Sequence, residues 1–445
     1  MKATRSLDRS RQMYERAQKS LVGGVGGNAR GPEWGWRPHP VFMARGTGPR
    51  LWDVDGNVYI DYLAAYGPMI LGHRPPKVIA AVREVMETMG SMLGTGHALE
   101  LEAAERVVAA VPCYELVRFA NTGSEAVQAA LRVARTYTGR EKILRFEGQF
   151  HGMAEVIHWS AKPRLELAGP REAPHPVAGS TGVPKVLGDT LLIRPWNDPE
   201  ILRRTIAEHG PELAAVITEP VMANCGVIPP RPGYLEELRE LTARHGIVLI
   251  FDEVKTGFRL ARGGAQEYYR IMPDLAVTAK AIAAGFPLAA VGGRKELMEV
   301  ISLHRVAQSA TYHTNPVAMA ACTATMDEIA APGFYTRLFQ TAEALCDGLR
   351  RAAAEAGVPI VLQGVGPIFQ VHFADRPLWE YRDLVQHARA DQYTIFWQAM
   401  FERGVLFNSH YQECWFVSAV HGETEVAETV AAAREAFAAV PRESR

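Results

Sequence analysis

Short and nearly continuous apolar runs recur through the middle of the chain, from about residue 76 to 325, and segments with helical spacing separate them. Strands that are buried on both faces have this composition, because helices cover both sides of a parallel sheet. We therefore predict an α/β fold with a mainly parallel central sheet. The predicted strands are Leu116–Ala120, Ile143–Phe146, Leu191–Ile193, Leu213–Thr218, Ile247–Phe251, Leu275–Val277 and Leu288–Val291.

Helical periodicity predicts the elements that surround this sheet and a separate C-terminal unit. From about residue 326, Ala/Glu/Arg-rich helices alternate with strand-like segments, which indicates a smaller α+β domain. The predicted helices are residues 5–20, Val78–Met89, Glu100–Val111, Ser124–Tyr137, Tyr335–Ala356, Asp391–Arg403 and Glu423–Ala439. The strand-like segments are Ile368–Phe373 and Cys414–Ala419.

Two further segments complete the predicted organisation. Phe42–Asp61 has near-alternating apolar positions around the turn Asp55-Gly56, which predicts a small antiparallel meander. Ala161–Lys185 is rich in Pro and Gly and has no periodicity, and a connection of that length is typical of a functional lid or a mobile loop. We expect an N-terminal segment at 1–70 that joins the small domain, a large domain at 71–325, and a C-terminal small domain at 326–445.

The composition narrows the class of protein. The chain has 445 residues, 48% of them hydrophobic and 22% charged, with a net charge of −1, so nothing electrostatic favours nucleic acid or an anionic membrane. Its five cysteines are widely spaced, without a C-x-x-C pair, which argues against a disulfide framework and against a metal site of the zinc type. The N-terminus is too polar for a signal peptide, and no apolar stretch approaches the roughly 20 residues of a membrane helix. We expect a cytoplasmic protein.

Lys280 lies inside the apolar stretch that runs from Asp274 to Arg294. A lysine seldom occupies such a place unless its charge is satisfied or removed. Burial lowers a lysine pKa by up to about 3–5 units and makes the amine a nucleophile towards carbonyl groups. The alternative is a lysine that reaches from the end of a strand to the surface.

Three other segments carry candidate chemistry. Asn121–Ala126 lies between a strand and a helix, where free N–H groups and the helix dipole favour an anion, although an ordinary N-cap is the alternative. Asp252 and Glu253 end a buried strand, where a carboxylate could bind a metal, act as a base, pair with a heterocycle nitrogen, or cap a helix. Phe150-His151-Gly152 offers an aromatic face suited to stacking on a flat ring, with core packing as the alternative.

The order of these motifs resembles that of class III aminotransferases, which are pyridoxal 5'-phosphate (PLP) enzymes of fold type I. Within that class, the stretches DVDGNVYIDY, GPMILGH, FEGQFHG, GGAQEYY and ERGV resemble the glutamate-1-semialdehyde aminomutase branch. The resemblance extends from about residue 20 to 440 and implies that the large domain binds PLP. Its motifs are Asn121–Ala126, Phe150–Gly152, Glu219–Val221, Asp252–Arg259, Lys280, and Thr311 followed by Asn315-Pro316.

The resemblance implies a role for each residue around the cofactor ring. Lys280 would form the Schiff base with PLP and later shuttle a proton. Asp252 would pair with the pyridinium nitrogen and keep it protonated. Val254 would pack behind the ring, and Phe150 would stack in front of it, next to His151.

The resemblance also implies how the polar groups of PLP are bound. Gly123 and Ser124 would bind the phosphate, and Thr311 of a second subunit would complete that site, which implies a homodimer. Asn224 would reach the phenolic oxygen of the cofactor, supported by Glu219.

The substrate site is less sharply implied. Arg30 falls where this branch places an arginine that holds a substrate carboxylate, and Glu413 keeps a carboxylate of the pattern. The chain departs from the aminomutases at Gly27-Asn28, where they have Ser-Pro, at Phe150, usually tyrosine, and at Ala98, usually glutamate. Aromatic residues near the predicted pocket that would suit a bulkier substrate, or simply pack, are Trp34, Trp36, Tyr312, His313 and Trp415.

These departures favour an aminotransferase that moves an amino group between an amino acid or amine and a carbonyl acceptor through pyridoxamine phosphate. The alternative is an aminomutase of the glutamate-1-semialdehyde type, or a racemase, on the same scaffold. A PLP-binding protein without catalysis is a third hypothesis, which the presence of Lys280, Asp252 and the phosphate motif disfavours.

Overall fold

A computed structural model of the protein describes residues 5–302 and 304–441. The helices are α1 Asp8–Ala17, α2 Pro76–Thr88, α3 Ala98–Ala110, α4 Gly123–Thr138, α5 Leu165–Ala168, α6 Pro199–His209, α7 Tyr234–Arg244, α8 Gly264–Tyr269, α9 Lys295–Ser302, α10 Pro316–Ile329, α11 Phe334–Ala356, α12 Tyr381–His387, α13 Ala390–Glu402 and α14 Glu423–Ala438.

The strands occur in three sheets. They are β1 Met43–Thr47, β2 Arg50–Asp53, β3 Val58–Asp61, β4 Leu116–Ala120, β5 Lys142–Phe146, β6 Leu191–Arg194, β7 Leu213–Thr218, β8 Val248–Glu253, β9 Leu275–Thr278, β10 Ala289–Gly293, β11 Val361–Val365, β12 Ile368–His372, β13 Val405–Leu406 and β14 Trp415–Phe416.

The chain divides into two compact units. The first unit comprises the residues up to Pro75, Thr336–Pro377, and the residues from His387 onward. The second unit comprises Pro76–Tyr335 and Leu378–Gln386. The segment Leu378–Gln386 therefore belongs to the second unit, although the chain on both sides of it belongs to the first. Hydrophobic periodicity did not indicate this.

A seven-stranded sheet forms the centre of the second unit, in the order β4-β10-β9-β8-β7-β5-β6. β5 to β9 run parallel to one another, whereas β10 is antiparallel to both β4 and β9. Every residue of β7 and β8 is buried, as their continuous apolar sequences require. The predicted mainly parallel sheet is confirmed, and the antiparallel β10 places β4 in the same direction as β9.

The first unit contains the two smaller sheets. β1, β2 and β3 form the predicted antiparallel meander, and β13 adds to β3 in parallel. β11, β12 and β14 form an antiparallel sheet. This unit mixes short sheets with long helices, as predicted for the smaller α+β part of the chain.

The aperiodic stretch Ala161–Lys185 contains only the short helix α5 as regular secondary structure before Lys185. Residues of the piece Leu378–Gln386 bind it within the second unit. Arg171 pairs with Glu380 at 2.7 Å, and the hydroxyl of Tyr381 donates to the carbonyl of Pro163 at 2.7 Å. A role for this stretch as a lid stays a prediction.

The sheet of the second unit positions the candidate site. The carboxyl ends of β4, β5, β7, β8 and β9 meet at one edge, because these strands share a direction. In open α/β sheets this edge is where ligands bind. In the described part of the chain, every helix is too short or too polar to cross a membrane.

Candidate active site

Asp252 and His151 form a buried pair at the carboxyl end of β8. Asp252 is 4% exposed, and its Oδ2 lies 2.8 Å from Nδ1 of His151. Burial lowers the pKa of His151, although the charge of Asp252 acts in the opposite direction. The neutral imidazole therefore donates from Nδ1, because a carboxylate only accepts, and the other lone pairs of Asp252 remain able to accept from a further donor.

Glu253, the next residue of β8, binds a different set of partners. Side chains alternate along a strand, so Glu253 points away from Asp252. Its carboxylate accepts hydrogen bonds from Thr256 at 3.0 Å and from the backbone and side chain of Gln266 at 3.1 and 3.0 Å, at the start of α8. The two adjacent carboxylates thus separate into one that faces the site edge and one that caps a helix.

Glu219 collects four N–H groups after β7. Its Oε1 accepts from the backbone of Phe150 at 2.8 Å, and its Oε2 accepts from the backbone of Ala223, at 3.0 Å, and from the backbone and side chain of Asn224, at 3.2 and 2.9 Å. Burial, aided by the charge of Asp252, raises the pKa of Glu219 to about 7. This carboxylate therefore orders both the Phe150 and the Asn224 segments.

The turn between β4 and α4 has the geometry of an anion site. Thr122 is the N-cap of α4 and forms a capping box with Glu125. A Cβ placed on Gly123 would lie 2.9 Å from Cγ2 of Val254, the residue after β8, so glycine is needed for this close approach. The site gains a helix N-terminus next to Val254, where the dipole and free N–H groups favour a phosphate.

Ser124 is fixed by the Phe150–Gly152 segment. Its Oγ accepts from the backbone of Met153 at 3.1 Å. Gly152 has a φ of +90°, and a Cβ there would lie 2.5 Å from Oγ of Ser124. Glycine at 152 thus lets the Phe150 segment approach the first turn of α4. The ring of Phe150 itself packs edge-on against His158, with centroids 5.8 Å apart.

Lys280 lies two residues after the end of β9 and is the first residue of a 3-10 turn. It is half-buried and has a φ of 51°, a left-handed conformation that costs a residue with a side chain roughly 1–3 kcal/mol. Its neighbour Ala279 lies within 3.8 Å of a Cβ built on Gly123. The lysine thus follows a strand end that lies against the phosphate-type turn.

The predicted substrate residues lie in the first unit. Arg30 is exposed, in the 3-10 turn Asn28–Arg30, and contributes to the lining of a mostly apolar cavity of about 400 Å³. Glu413 is half-buried, and its backbone carbonyl accepts from the side chain of Gln370. Their role in substrate binding stays a prediction.

The aromatic candidates divide between packing and the surface. Trp415 is fully buried and stacks on Phe407 with centroids 3.8 Å apart, so it is a core residue. Tyr312 is 64% exposed and neighbours Thr311, which is exposed as well. That Thr311 reaches the phosphate site of another subunit stays a prediction.

Sequence reasoning missed two buried cations near the pair. Arg145 of β5 is fully buried and donates to the carbonyls of Ile157, at 2.6 Å, and Gln149. Lys255 is 6% exposed and donates to the carbonyl of Ala223 at 3.2 Å. A positive charge inside or directly after a buried apolar strand was the signal that would have found both.

These residues fit the PLP that the resemblance implies. Gly123 brings the N-terminus of α4 close to Val254. Asp252 is a buried carboxylate for a ring nitrogen, and Lys280 supplies the amine. The Nε2 atom of His151 is buried without a hydrogen-bond partner in the described residues. The same described ranges hold no group of three or more His, Cys, Asp or Glu side chains arranged for a metal ion.

Comparison with known proteins agrees on the family. The model of the family described as aminotransferase class-III matches residues 34–420. A curated relative, the glutamate-1-semialdehyde 2,1-aminomutase of Pelotomaculum thermopropionicum, is 42% identical over 436 residues, which cover 98% of this chain and 98% of that protein.

Solved structures give the same fold. An omega-transaminase from Sphaerobacter thermophilus matches with a TM-score of 0.90 and 33% identity, over 97% of both chains. A structure described as a transaminase with PLP bound matches with a TM-score of 0.88 and 29% identity, over 98% of both chains.

Proposed function

The chain belongs to the class-III aminotransferase family, whose members are PLP-dependent enzymes of fold type I, and from that premise we propose that it is an isomerase of the glutamate-1-semialdehyde aminomutase type. PLP is its cofactor. The near full-length relative at 42% identity carries this proposal. The aminomutase proposal takes precedence over the transaminase reaction between two substrates, which the departures in the sequence favoured. The transaminase becomes the second candidate.

When bound, PLP supplies an electron sink that stabilises negative charge on the carbon beside the amino group. Asp252 would hold the ring nitrogen in its protonated form, and the neutral His151 keeps the carboxylate in place. Gly123 and Ser124 would hold the phosphate at the N-terminus of α4. Phe150 would cover one ring face, and Asn224 would bind the phenolic oxygen.

Lys280 would bind the cofactor and carry a proton at Nζ between the two substrate carbons that exchange the amino group. The left-handed backbone at this residue supports the role, since strain of that kind concentrates at functional positions. Arg30 and Glu413 are proposed to hold the substrate, with the guanidinium binding its carboxylate.

A transaminase is the second candidate, and two observations favour it. The solved omega-transaminase shares the fold at a TM-score of 0.90 with 33% identity. The chain also has Gly27-Asn28, Ala98 and Phe150 where the aminomutase pattern differs. An amino acid or amine would then be the donor, and a separate carbonyl compound the acceptor.

We further propose a cytoplasmic homodimer in which Thr311 of one subunit completes the phosphate site of the other. Such an interface would cover apolar side chains of the second unit that are exposed in the single chain. They are Met86, Met92, Leu93, Leu101, Met153 and Tyr312.

A half-reaction screen on purified holoenzyme tests the proposed reaction. Glutamate 1-semialdehyde, α-amino acids, β-amino acids and amines are each added alone while the cofactor absorbance is followed. We expect repeated turnover of the semialdehyde without a second substrate. A stoichiometric absorbance change with an amino donor, reversed by a keto acid, would instead establish the transaminase.

A further inference from the structure

Lys255 brings a second amine into the interior beside the proposed cofactor site. It lies two residues beyond β8, is 6% exposed, and its Nζ donates to the carbonyl of Ala223 at 3.2 Å. A buried ammonium group is tolerated only where other groups offset the loss of water. Backbone carbonyls offset only part of that cost, and a negative charge in the same interior offsets more of it.

Glu219 is a buried carboxylate that binds the same residue as Lys255. Its Oε2 accepts from the backbone N–H of Ala223 at 3.0 Å, so Glu219 and Lys255 hold the two polar groups of one residue. Glu219 is only 3% exposed. Opposite charges that bind the two polar groups of one buried residue partly offset each other's desolvation, whereas either one alone is destabilising.

Three further N–H groups depend on Glu219 remaining a carboxylate. They belong to the backbone of Phe150 and to the backbone and side chain of Asn224. A carboxylate offers only acceptor positions, but a protonated carboxyl group turns one of them into a donor. Protonation would therefore release at least one of the two segments that face the cofactor.

We propose that Lys255 is a positioning residue of the cofactor site: its ammonium group is the counter-charge of Glu219, and through Glu219 it fixes Asn224 and Phe150. The inference rests on the PLP site of the proposed function and not on which amino compound reacts.

The charges around Glu219 agree with this role. Burial and the charge of Asp252 raise the pKa of Glu219, and the charge of Lys255 lowers it, to a value of about 7. The charge of Arg145, on β5, is coupled to Glu219 as well. Since Arg145 is bound to backbone carbonyls, it stays in place when Lys255 is replaced.

The test is an infrared titration of the holoenzyme that follows the carboxylic-acid C=O band of Glu219, identified by its absence in Glu219→Gln. In Lys255→Met, which keeps the apolar stem and removes the charge, the midpoint is expected to rise from about pH 7 by roughly one unit or more. In Lys255→Arg it is expected to stay near the wild-type value. The pH below which PLP affinity weakens should move by the same amount.

Lys142→Met is the matched control, because Lys142 is a partly buried lysine of the same sheet that pairs with Glu212. It is expected to leave the midpoint unchanged. A folded Lys255→Met protein with the wild-type midpoint would overturn the proposal. The titration needs no turnover, so a failed half-reaction screen leaves it readable.

A second variant keeps the proposal testable if Lys255→Met folds poorly. The double variant Lys255→Met/Glu219→Gln removes both charges, and is expected to unfold at a higher temperature than Lys255→Met alone. A double variant that is as unstable as the two single losses combined would show that the charges do not interact, and would refute the pairing.

Discussion

At Asp252 and Glu253, adjacent residues of the same chemical type have separate tasks. The pleat of β8 turns Asp252 towards His151 and Glu253 towards the start of α8. The sequence presents both as equivalent candidates for a base, a metal ligand or a capping group. Only the partners on the two faces of the strand distinguish them.

Replacement of Asp252 by asparagine tests the assigned face. Asp252→Asn keeps the shape but removes the charge that would hold a ring nitrogen protonated, and we expect turnover to fall by about 100-fold or more. The measurement is the rate per bound cofactor. Asp274→Asn is the control, since Asp274 is a buried carboxylate directly before β9 that binds Arg239 and Arg294. It should lower stability while its rate per bound cofactor stays near that of wild type; an equal loss of rate in both variants would contradict the assignment.

Glu219 makes stability depend on pH in a defined direction. Its pKa in the folded protein is about 7, above its ordinary value of 4.5, so the folded state retains a proton that the unfolded chain releases. The corresponding stabilisation is complete below about pH 4.5 and is lost as the pH rises through 7, by about 3 kcal/mol in total.

Urea unfolding between pH 4.5 and 8, at a fixed PLP concentration, measures this contribution. We expect the difference in free energy of unfolding between wild type and Glu219→Gln to change across that window. His151, whose pKa is lowered, destabilises the fold as the pH falls below its ordinary range, but it does so in both proteins and cancels in the difference. Parallel curves for the two proteins would rule out a titrating Glu219.

At the scale of elements, the close approach of α4 to β8 depends on one missing side chain. Gly123→Ala would bring a methyl group to 2.9 Å from Val254, so the first turn of α4 or the segment after β8 must shift. We expect PLP affinity, measured by equilibrium dialysis, to fall by about 10-fold. Adding Val254→Ala should recover part of the loss.

The other end of the same helix supplies the control. Gly139 caps α4 with a φ of 68°, and a Cβ there meets nothing within 4 Å. Gly139→Ala should cost about 1 kcal/mol of stability through its backbone and leave PLP affinity unchanged. Equal losses of affinity at both ends would mean that Gly123 acts on the helix and not on the cofactor.

The elements themselves followed the sequence closely where the hydrophobic pattern was unambiguous. The predicted strands Leu116–Ala120 and Leu213–Thr218 have the observed bounds. The apolar run Leu213–Thr218 is buried throughout, as its sequence predicts, whereas the edge strand Leu116–Ala120 is buried only at its carboxyl end. The predicted Ile247–Phe251 instead begins at Val248 and continues to Glu253. The prediction stopped before Asp252 and Glu253 because charged residues are rarely buried. Their burial depends on hydrogen-bond partners elsewhere in the chain, which hydrophobic periodicity does not indicate.

At the scale of the whole molecule, the proposed homodimer predicts complementation between two impaired variants. Thr311→Asp would place a negative charge against the phosphate site of the other subunit, and Lys280→Ala would remove the amine from its own. A mixed dimer contains one site with both native residues. Mixing the inactive Lys280→Ala protein into Thr311→Asp under subunit exchange should therefore raise its activity.

The size of the gain distinguishes a shared site from separate ones. Titration of Lys280→Ala against a fixed amount of Thr311→Asp, followed by turnover, is the measurement. The control is a surface variant such as Lys295→Ala, mixed with Thr311→Asp in the same proportions. It measures how much activity added subunits with native site residues contribute. If added Lys280→Ala only dilutes the activity, Thr311 acts within its own subunit or not at all.

The sequence by itself determined the mainly parallel sheet, the antiparallel meander, the order of the motifs, and Asp252 and Lys280 at strand ends. Those features follow from local periodicity and from residue types that are costly to bury. Tertiary structure alone decided which carboxylate faces His151, how Glu219 gathers the Phe150 and Asn224 segments, and that Lys255 and Arg145 are buried beside them. These depend on side-chain direction and on contacts between residues up to about a hundred positions apart, such as His151 and Asp252, which no local pattern encodes.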